Sequence, residues 1–177
     1  MKRTLFVCSL LAVFALFSTS TDAQDKGPRK SPKAGVSQVV GTTNVSVSYS
    51  RPGVKDREIW GELVPYGKIW RAGADDATTF EFEKDVMLSG NAVPAGKYSF
   101  FAIPDELEWT IILNKTAEQW GAYNYDEAQD LLRFTVKPET ADHVEWLKYE
   151  IEKTGDYTAN LSMRWGKGKI SIPIEAK

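Results

Sequence analysis

From Tyr157 to Trp165 the chain alternates without interruption: Tyr157, Ala159, Leu161, Met163 and Trp165 are apolar or aromatic, and every residue between them is polar. A period of two puts successive side chains on opposite faces of an extended strand, and no helix produces it. The same period recurs along the chain. Val45, Val47 and Tyr49 alternate with Asn44, Ser46, Ser48 and Ser50, Phe80 and Phe82 with Thr79, Glu81 and Glu83, and Ile170, Ile172 and Ile174 point inward from Lys169–Glu175. Gly35–Gly41 predicts a short strand, and Val86 and Leu88 mark another. Lys97–Ile103 turns at Pro104-Asp105 into Glu108–Asn114, the pattern of a hairpin. Leu131–Val136 is a strand stopped by Pro138. In His143–Glu152 the apolar phase switches from Val144 and Trp146 to Leu147, Tyr149 and Ile151, which predicts a bulge near Trp146.

Between these runs lie turn signals, at Ser89–Gly96 and at Gly166-Lys167-Gly168. One helical turn is expected at Arg57–Leu63, where Ile59 and Leu63 are four apart and Pro65 stops propagation. About nine or ten short strands joined mainly by turns predict an all-β fold. The expected architecture is a single-domain antiparallel β-sandwich, with a closed β-barrel as the alternative.

The N-terminus reads as a cleaved secretory signal peptide over residues 1–23. Lys2 and Arg3 precede an apolar run from Leu5 to Phe17, and small and polar residues follow up to a cut after Ala23. The run has 13 residues, short of the roughly 20 that a membrane-spanning helix needs. A periplasmic or secreted protein is therefore expected, with no membrane insertion of the mature chain. The single cysteine, Cys8, lies in the removed segment, so the mature protein is cysteine-free, which excludes thiol catalysis and thiolate metal sites. Cleavage moves the formal charge from −2 to −3 and leaves 154 residues, enough for one core without disulfides. That charge excludes an electrostatic nucleic-acid binder. Residues 24–34, with four basic residues and two prolines, read as a flexible leader to a domain over 35–177.

Chemistry concentrates in Arg51–Thr79, which has no sustained period. Arg51, Lys55, Arg57 and Arg71 supply cations, Trp60, Tyr66 and Trp70 aromatic rings, and Asp75-Asp76 two carboxylates after a bend of small residues. Guanidinium groups give paired hydrogen bonds and indoles give stacking faces, a combination suited to a planar or polyhydroxylated ligand. The same residues equally suit a clamp, with Trp60 and Trp70 plugging the end of the sandwich and arginines tied to Asp75 or Asp76. A face for a protein partner is the third reading.

A second aperiodic loop, Asn114–Asp130, carries Trp120, Tyr123 and Tyr125 among Glu118, Asp126, Glu127 and Asp130. These rings suit carbohydrate stacking or the loop's own apolar anchor. Trp120 and Tyr123 would close the ligand site if the two loops meet. No metal or cofactor is expected: His143 is the only histidine, and the acidic pairs fall in no calcium-loop spacing. No serine has a nucleophile-elbow context, no glycine-rich phosphate loop occurs, and no two carboxylates can be placed at a glycosidase separation.

The run S-Y-S-R-P-G-V-K-D-R-E-I-W-G-E-L-V-P-Y-G-K-I-W-R-A-G-A-D-D-A-T-T, with V-P-A-G-K-Y-S-F-F-A-I-P, E-W-T-I-I-L-N and Q-W-G-A-Y-N-Y, resembles the bacterial domain-of-unknown-function family 2911 over about Ser31 to Ile174. The resemblance implies secreted or periplasmic all-β proteins of Gram-negative bacteria and brings no activity or catalytic residues. Its pattern often has Asn-Glu where this chain has Asp75-Asp76, which favours a hydrogen-bonding or structural role for the first position over general-base work. The expected function is a non-enzymatic, exported β-sandwich binding a small polar, anionic or carbohydrate-like ligand at one end. The alternatives are a cell-envelope module for a protein partner and a hydrolase of an envelope glycan or ester.

Overall fold

The alternating segments pair antiparallel into two sheets. The structure, a computed structural model, describes residues 27–176; the expected signal peptide at 1–23 and the first leader residues lie outside the described residues. One sheet has six strands in the order β1 (Lys33–Val40), β2 (Thr43–Ser50), β3 (Thr78–Phe82), β6 (Gly96–Ile103), β7 (Trp109–Asn114) and β8 (Asp130–Val136). The other has four, ordered β5 (Asn91–Val93), β4 (Val86–Leu88), β10 (Thr158–Ala176) and β9 (Glu139–Lys153). Neither sheet closes on itself, so the architecture is the β-sandwich and not the barrel.

The period-two residues meet where the sheets face each other. Val45, Val47, Phe80, Phe82, Phe100, Ile111 and Leu113 from the larger sheet join Leu88, Leu147, Leu161, Met163, Trp165, Ile172 and Ile174 from the smaller in one buried cluster. Each such side chain contributes about 1.5–3 kcal/mol by leaving water. The core is aromatic at its centre: Phe80 and Phe100 stack at 4.2 Å, and Tyr149 lies edge-on to both. The polar ends of the core tyrosines are satisfied, Tyr49 Oη accepting from Tyr149 N–H and Tyr149 Oη donating to Ala72 O at 2.7 Å.

The expected hairpin is β6–β7, with Phe101 opposite Ile112. The expected bulge near Trp146 is present as well. Between the pairs Lys148–Arg164, Val144–Gly166 and Thr140–Gly168, β9 advances four residues for every two of β10. Trp146 leaves the β10 ladder and pairs with Gly53.

Four local expectations differ. Gly166-Lys167-Gly168 is not a turn: β10 runs straight through it, and the glycines serve close approach instead. Gly166 sits at φ +57°, and a Cβ there would meet Ile59 Cδ1 at 2.8 Å; one on Gly168 would come within 2.5 Å of Trp60 Nε1. Arg57–Leu63 is not helical. Gly61 at φ +91° breaks the turn, which closes through Val64 N–H to Ile59 O at 2.8 Å. The only helical element among the described residues is a 3-10 turn at Glu127–Gln129, capped by the Asp126 side chain. The turn-rich stretch Ser89–Gly96 also holds the short strand β5, and β1 begins two residues earlier than expected, at Lys33.

Candidate functional site

The segment from Arg51 to Thr79 stitches the two sheets together. Val54 N–H and Pro52 O bond to Glu145 O and Leu147 N–H of β9 in the smaller sheet. Trp70 exchanges both backbone hydrogen bonds with Ala102 of β6 in the larger sheet, at 2.8 and 2.9 Å. Trp70 thereby occupies the lane that β3 follows further along β6, and residues 72–77 form an excursion between the two. Three side chains hold the bend of that excursion. Tyr149 Oη and Thr78 Oγ1 both donate to Ala72 O, and Trp70 Nε1 donates to Gly73 O. Such support is needed because Ala72 and Asp75 both stand at positive φ, 52° and 56°.

Trp60 and Trp70 face inward. With Trp109 of β7 and Trp165 of β10 they form a cluster of mostly edge-to-face rings, Trp60 lying 4.5 Å from Trp109 and 5.6 Å from Trp70. Trp70 stacks against Trp165 at 6.0 Å and keeps only 8% of its surface exposed. Arg51 and Arg57 are fixed by backbone carbonyls and not by the two aspartates. Arg51 Nε donates to Leu147 O, and Arg57 donates to Val54 O and Gly53 O. Asp75 and Asp76 are met by the leader instead: Arg29 lies 3.9 and 3.8 Å from them, and Lys33 Nζ is 3.0 Å from Asp76.

The second loop is anchored over the outer face of β6 and β7. Tyr125 packs edge-on against Phe101 at 5.1 Å, in a small cluster with Ala77 and Ile112. Its hydroxyl donates to Asp130 and accepts from Arg133, and burial, followed by Asp130, pushes its pKa up to about 12. Asn114 ties the ends of the loop by donating to Asp126 O and to Asp130 Oδ1. With Tyr125 serving as the apolar anchor, Trp120 and Tyr123 are left 57% and 84% exposed.

The two loops do meet. Asp76 bridges Trp120, Ala77 N–H donates to Gln119 O, and Gly121 N–H to Asp75 O. Their junction walls a cleft of about 420 Å³. Its floor is the outer face of β2 and β3, where Ser48 and Thr79 are cross-strand partners. Trp120 and Gln119 stand on one side, and Lys33, Asp76, Lys97 and Glu118 around the rim. The charged groups there are paired, Lys97 Nζ with Glu118 at 2.7 Å and Lys33 with Asp76 at 3.0 Å.

The sequence-derived residues therefore distribute over three clefts. Asp76 and Trp120 line the first. Lys55, Arg57, Trp70, Arg71 and Asp75 line a second of about 390 Å³, together with Trp165. Trp60 and Tyr66 line a third of about 220 Å³ beside Asp105, Glu106 and Glu139. Burial, then the charges of Glu106, Asp105 and Glu58, push the Tyr66 hydroxyl above its usual pKa. Arg51 and Tyr123 line none of these three. Sequence reasoning missed Lys33, Ser48, Thr79 and Lys97 in the first cleft; the polar pair Ser48–Thr79 becomes a floor only once the register of β2 and β3 is known.

The charge pairing in the first cleft limits its chemistry. The hydrogen bond and charge of Lys97 hold the Glu118 carboxyl below the ordinary range, so at neutral pH it is an acceptor and not a proton donor. Asp76 is likewise tied to Lys33. His143 sits 3.6 Å from Glu145 and lines none of the three clefts. Among the described residues no group of three or more His, Cys, Asp or Glu is placed to hold a metal ion, and no helix is long and apolar enough to cross a membrane.

No curated protein and no solved structure matches the chain in comparisons with known proteins. A family model does match, over residues 31–174, a span that takes in all but the last two residues of the two-sheet domain and both loops of the site. The chain belongs to that family, the proteins of unknown function DUF2911.

Proposed function

We propose that this protein is an exported, non-catalytic binding protein whose first cleft takes a polyhydroxylated, carbohydrate-like ligand. The observation that carries the reading is Trp120. Trp60, Trp70, Trp109 and Trp165 all pack into or against the core, whereas this indole is 57% exposed at the mouth of a cleft of about 420 Å³. An indole face stacks on the apolar face of a sugar ring, and its edge tolerates water. Around it stand the partners that ring hydroxyls require: Ser48 and Thr79 hydroxyls below, and the carboxylates and ammonium groups of Asp76, Glu118, Lys33 and Lys97 at the rim.

The Lys97-paired carboxylate of Glu118 favours binding over hydrolysis, since a glycosidase needs one carboxyl raised in pKa to protonate the leaving group. Glu118 is shifted the other way. The basic, then apolar, N-terminal residues support action outside the cytoplasm.

The test is a thermal-shift screen of the chain and its Trp120→Ala variant against neutral oligosaccharides and peptidoglycan fragments. A ligand that binds only the native state raises the midpoint. At least one saccharide is expected to raise that of the parent and not of the variant. No shift with any of them, or equal shifts in both proteins, would overturn the reading.

A further inference from the structure

The second cleft lies across the Arg29–Asp75/Asp76 ion pairs from the first and has a different character. Four cations line it, Lys30, Lys55, Arg57 and Arg71, against the single carboxylate of Asp75. Asp75 is already within 3.9 Å of Arg29. None of the four lining cations forms an ion pair among the described residues, whereas Lys33, Lys97, Arg133 and Lys148 each lie within 3.0 Å of a carboxylate. The carboxylate of Glu145 accepts from Lys55 N–H and stands beside His143.

Two of these cations are also held in place. Arg57 donates Nε to Val54 O and Nη2 to Gly53 O, so its guanidinium is fixed by neutral carbonyls that leave its charge uncompensated. Lys55 stands at φ +49° with its ammonium over the Trp146 ring, 5.9 Å from the centroid. Arg71 Nε and the indole N–H of Trp165, both on cleft residues, find no acceptor among the described residues. A buried donor without an acceptor is unfavourable.

We infer that this cleft is an oxyanion site, built to receive a phosphate group. An oxyanion supplies charge to cations that the fold leaves uncompensated. The site is separate from the saccharide cleft and stands or falls independently of it.

Trp70 and Trp165 line the cleft and provide its reporter. The chain is titrated with inorganic phosphate at constant ionic strength, held with sodium chloride, while tryptophan fluorescence is followed. Glycerol 3-phosphate in a parallel series distinguishes a phosphoester from the free ion. A saturable change is expected with at least one of the two. The double variant K55Q/R71Q is expected to bind at least about tenfold more weakly, the loss of roughly 1.4 kcal/mol. The single variants K30Q and K55Q, on exposed side chains, serve if the double variant does not fold, and each is expected to weaken binding about threefold or more. Trp120→Ala is expected to bind phosphate as the parent does. A fluorescence change that fails to saturate with either probe, or variants that bind as tightly as the parent, would overturn the proposal.

Discussion

Trp70 and Trp120 sit on loops that touch, yet the fold uses them in opposite ways. Trp70 stacks on Trp165, hydrogen-bonds Gly73 O and is buried, so Trp70→Ala removes a ring from a packed cluster. A loss of about 3–5 kcal/mol in urea unfolding is expected; a loss below about 1 kcal/mol would show that the ring is not part of the core. Tyr149 makes a finer case. Its hydroxyl is one of two donors to Ala72 O, and Thr78 remains when it is removed, so Tyr149→Phe is expected to lose about 1 kcal/mol. Burial pushes the Tyr149 pKa well above its ordinary value. A raised pKa means that the folded state holds the proton more tightly than the unfolded one. The stabilisation is complete below the unfolded pKa of about 10 and is lost as pH rises beyond it. The parent is therefore expected to lose stability from about pH 9 to pH 11 more steeply than Tyr149→Phe, as read by urea midpoints across that range. Equal slopes would assign the alkaline loss to other groups.

At the scale of elements, the strands were legible because period two survives any loop placed between them. β2, β3 and the first half of β10 follow their alternating residues, while β6 and β7, buried on both faces, were legible from β-forming residues on either side of the Pro104-Asp105 turn. The phase switch at Trp146 marked a real bulge because a buried face cannot change sides without an extra residue. What stayed illegible depends on partners far away in the chain. Gly166-Lys167-Gly168 has the letters of a turn, but Ile59 and Trp60 occupy the space where its side chains would be. Gly168→Ala is accordingly expected to destabilise by about 1–3 kcal/mol through overpacking. The same change in a Trp60→Ala background is expected to be milder, with a coupling of at least about 0.5 kcal/mol in a double-mutant cycle. Additive losses would show that Gly168 is needed for its backbone and not for the indole.

For the whole molecule, the sandwich brings two aperiodic loops together beside the larger sheet. Their chemistry was readable as letters: basic and aromatic in Arg51–Thr79, aromatic and acidic in Asn114–Asp130. Their division of labour was not, because it follows from which strand each loop crosses. Pairing with Ala102 pulls Trp70 inward, while Tyr125 on Phe101 anchors the second loop and frees Trp120 beside Asp76. Lys33 illustrates the same limit. It reads as part of a leader, and becomes a cleft residue only when β1 pairs it with Ser50 and places it against Asp76.

On the binding function proposed above, Trp120 is kept out of the core for a ligand. The most direct test is the unfolding midpoint of the parent and of Trp120→Ala, each measured without and with a saturating saccharide from the screen. Without ligand the two midpoints should agree to within what a change of about 0.5 kcal/mol produces, as for an exposed side chain, and only the parent should gain on adding it. A Trp120→Ala protein that unfolds several degrees earlier without ligand, or that gains as much from the saccharide as the parent, would contradict the account.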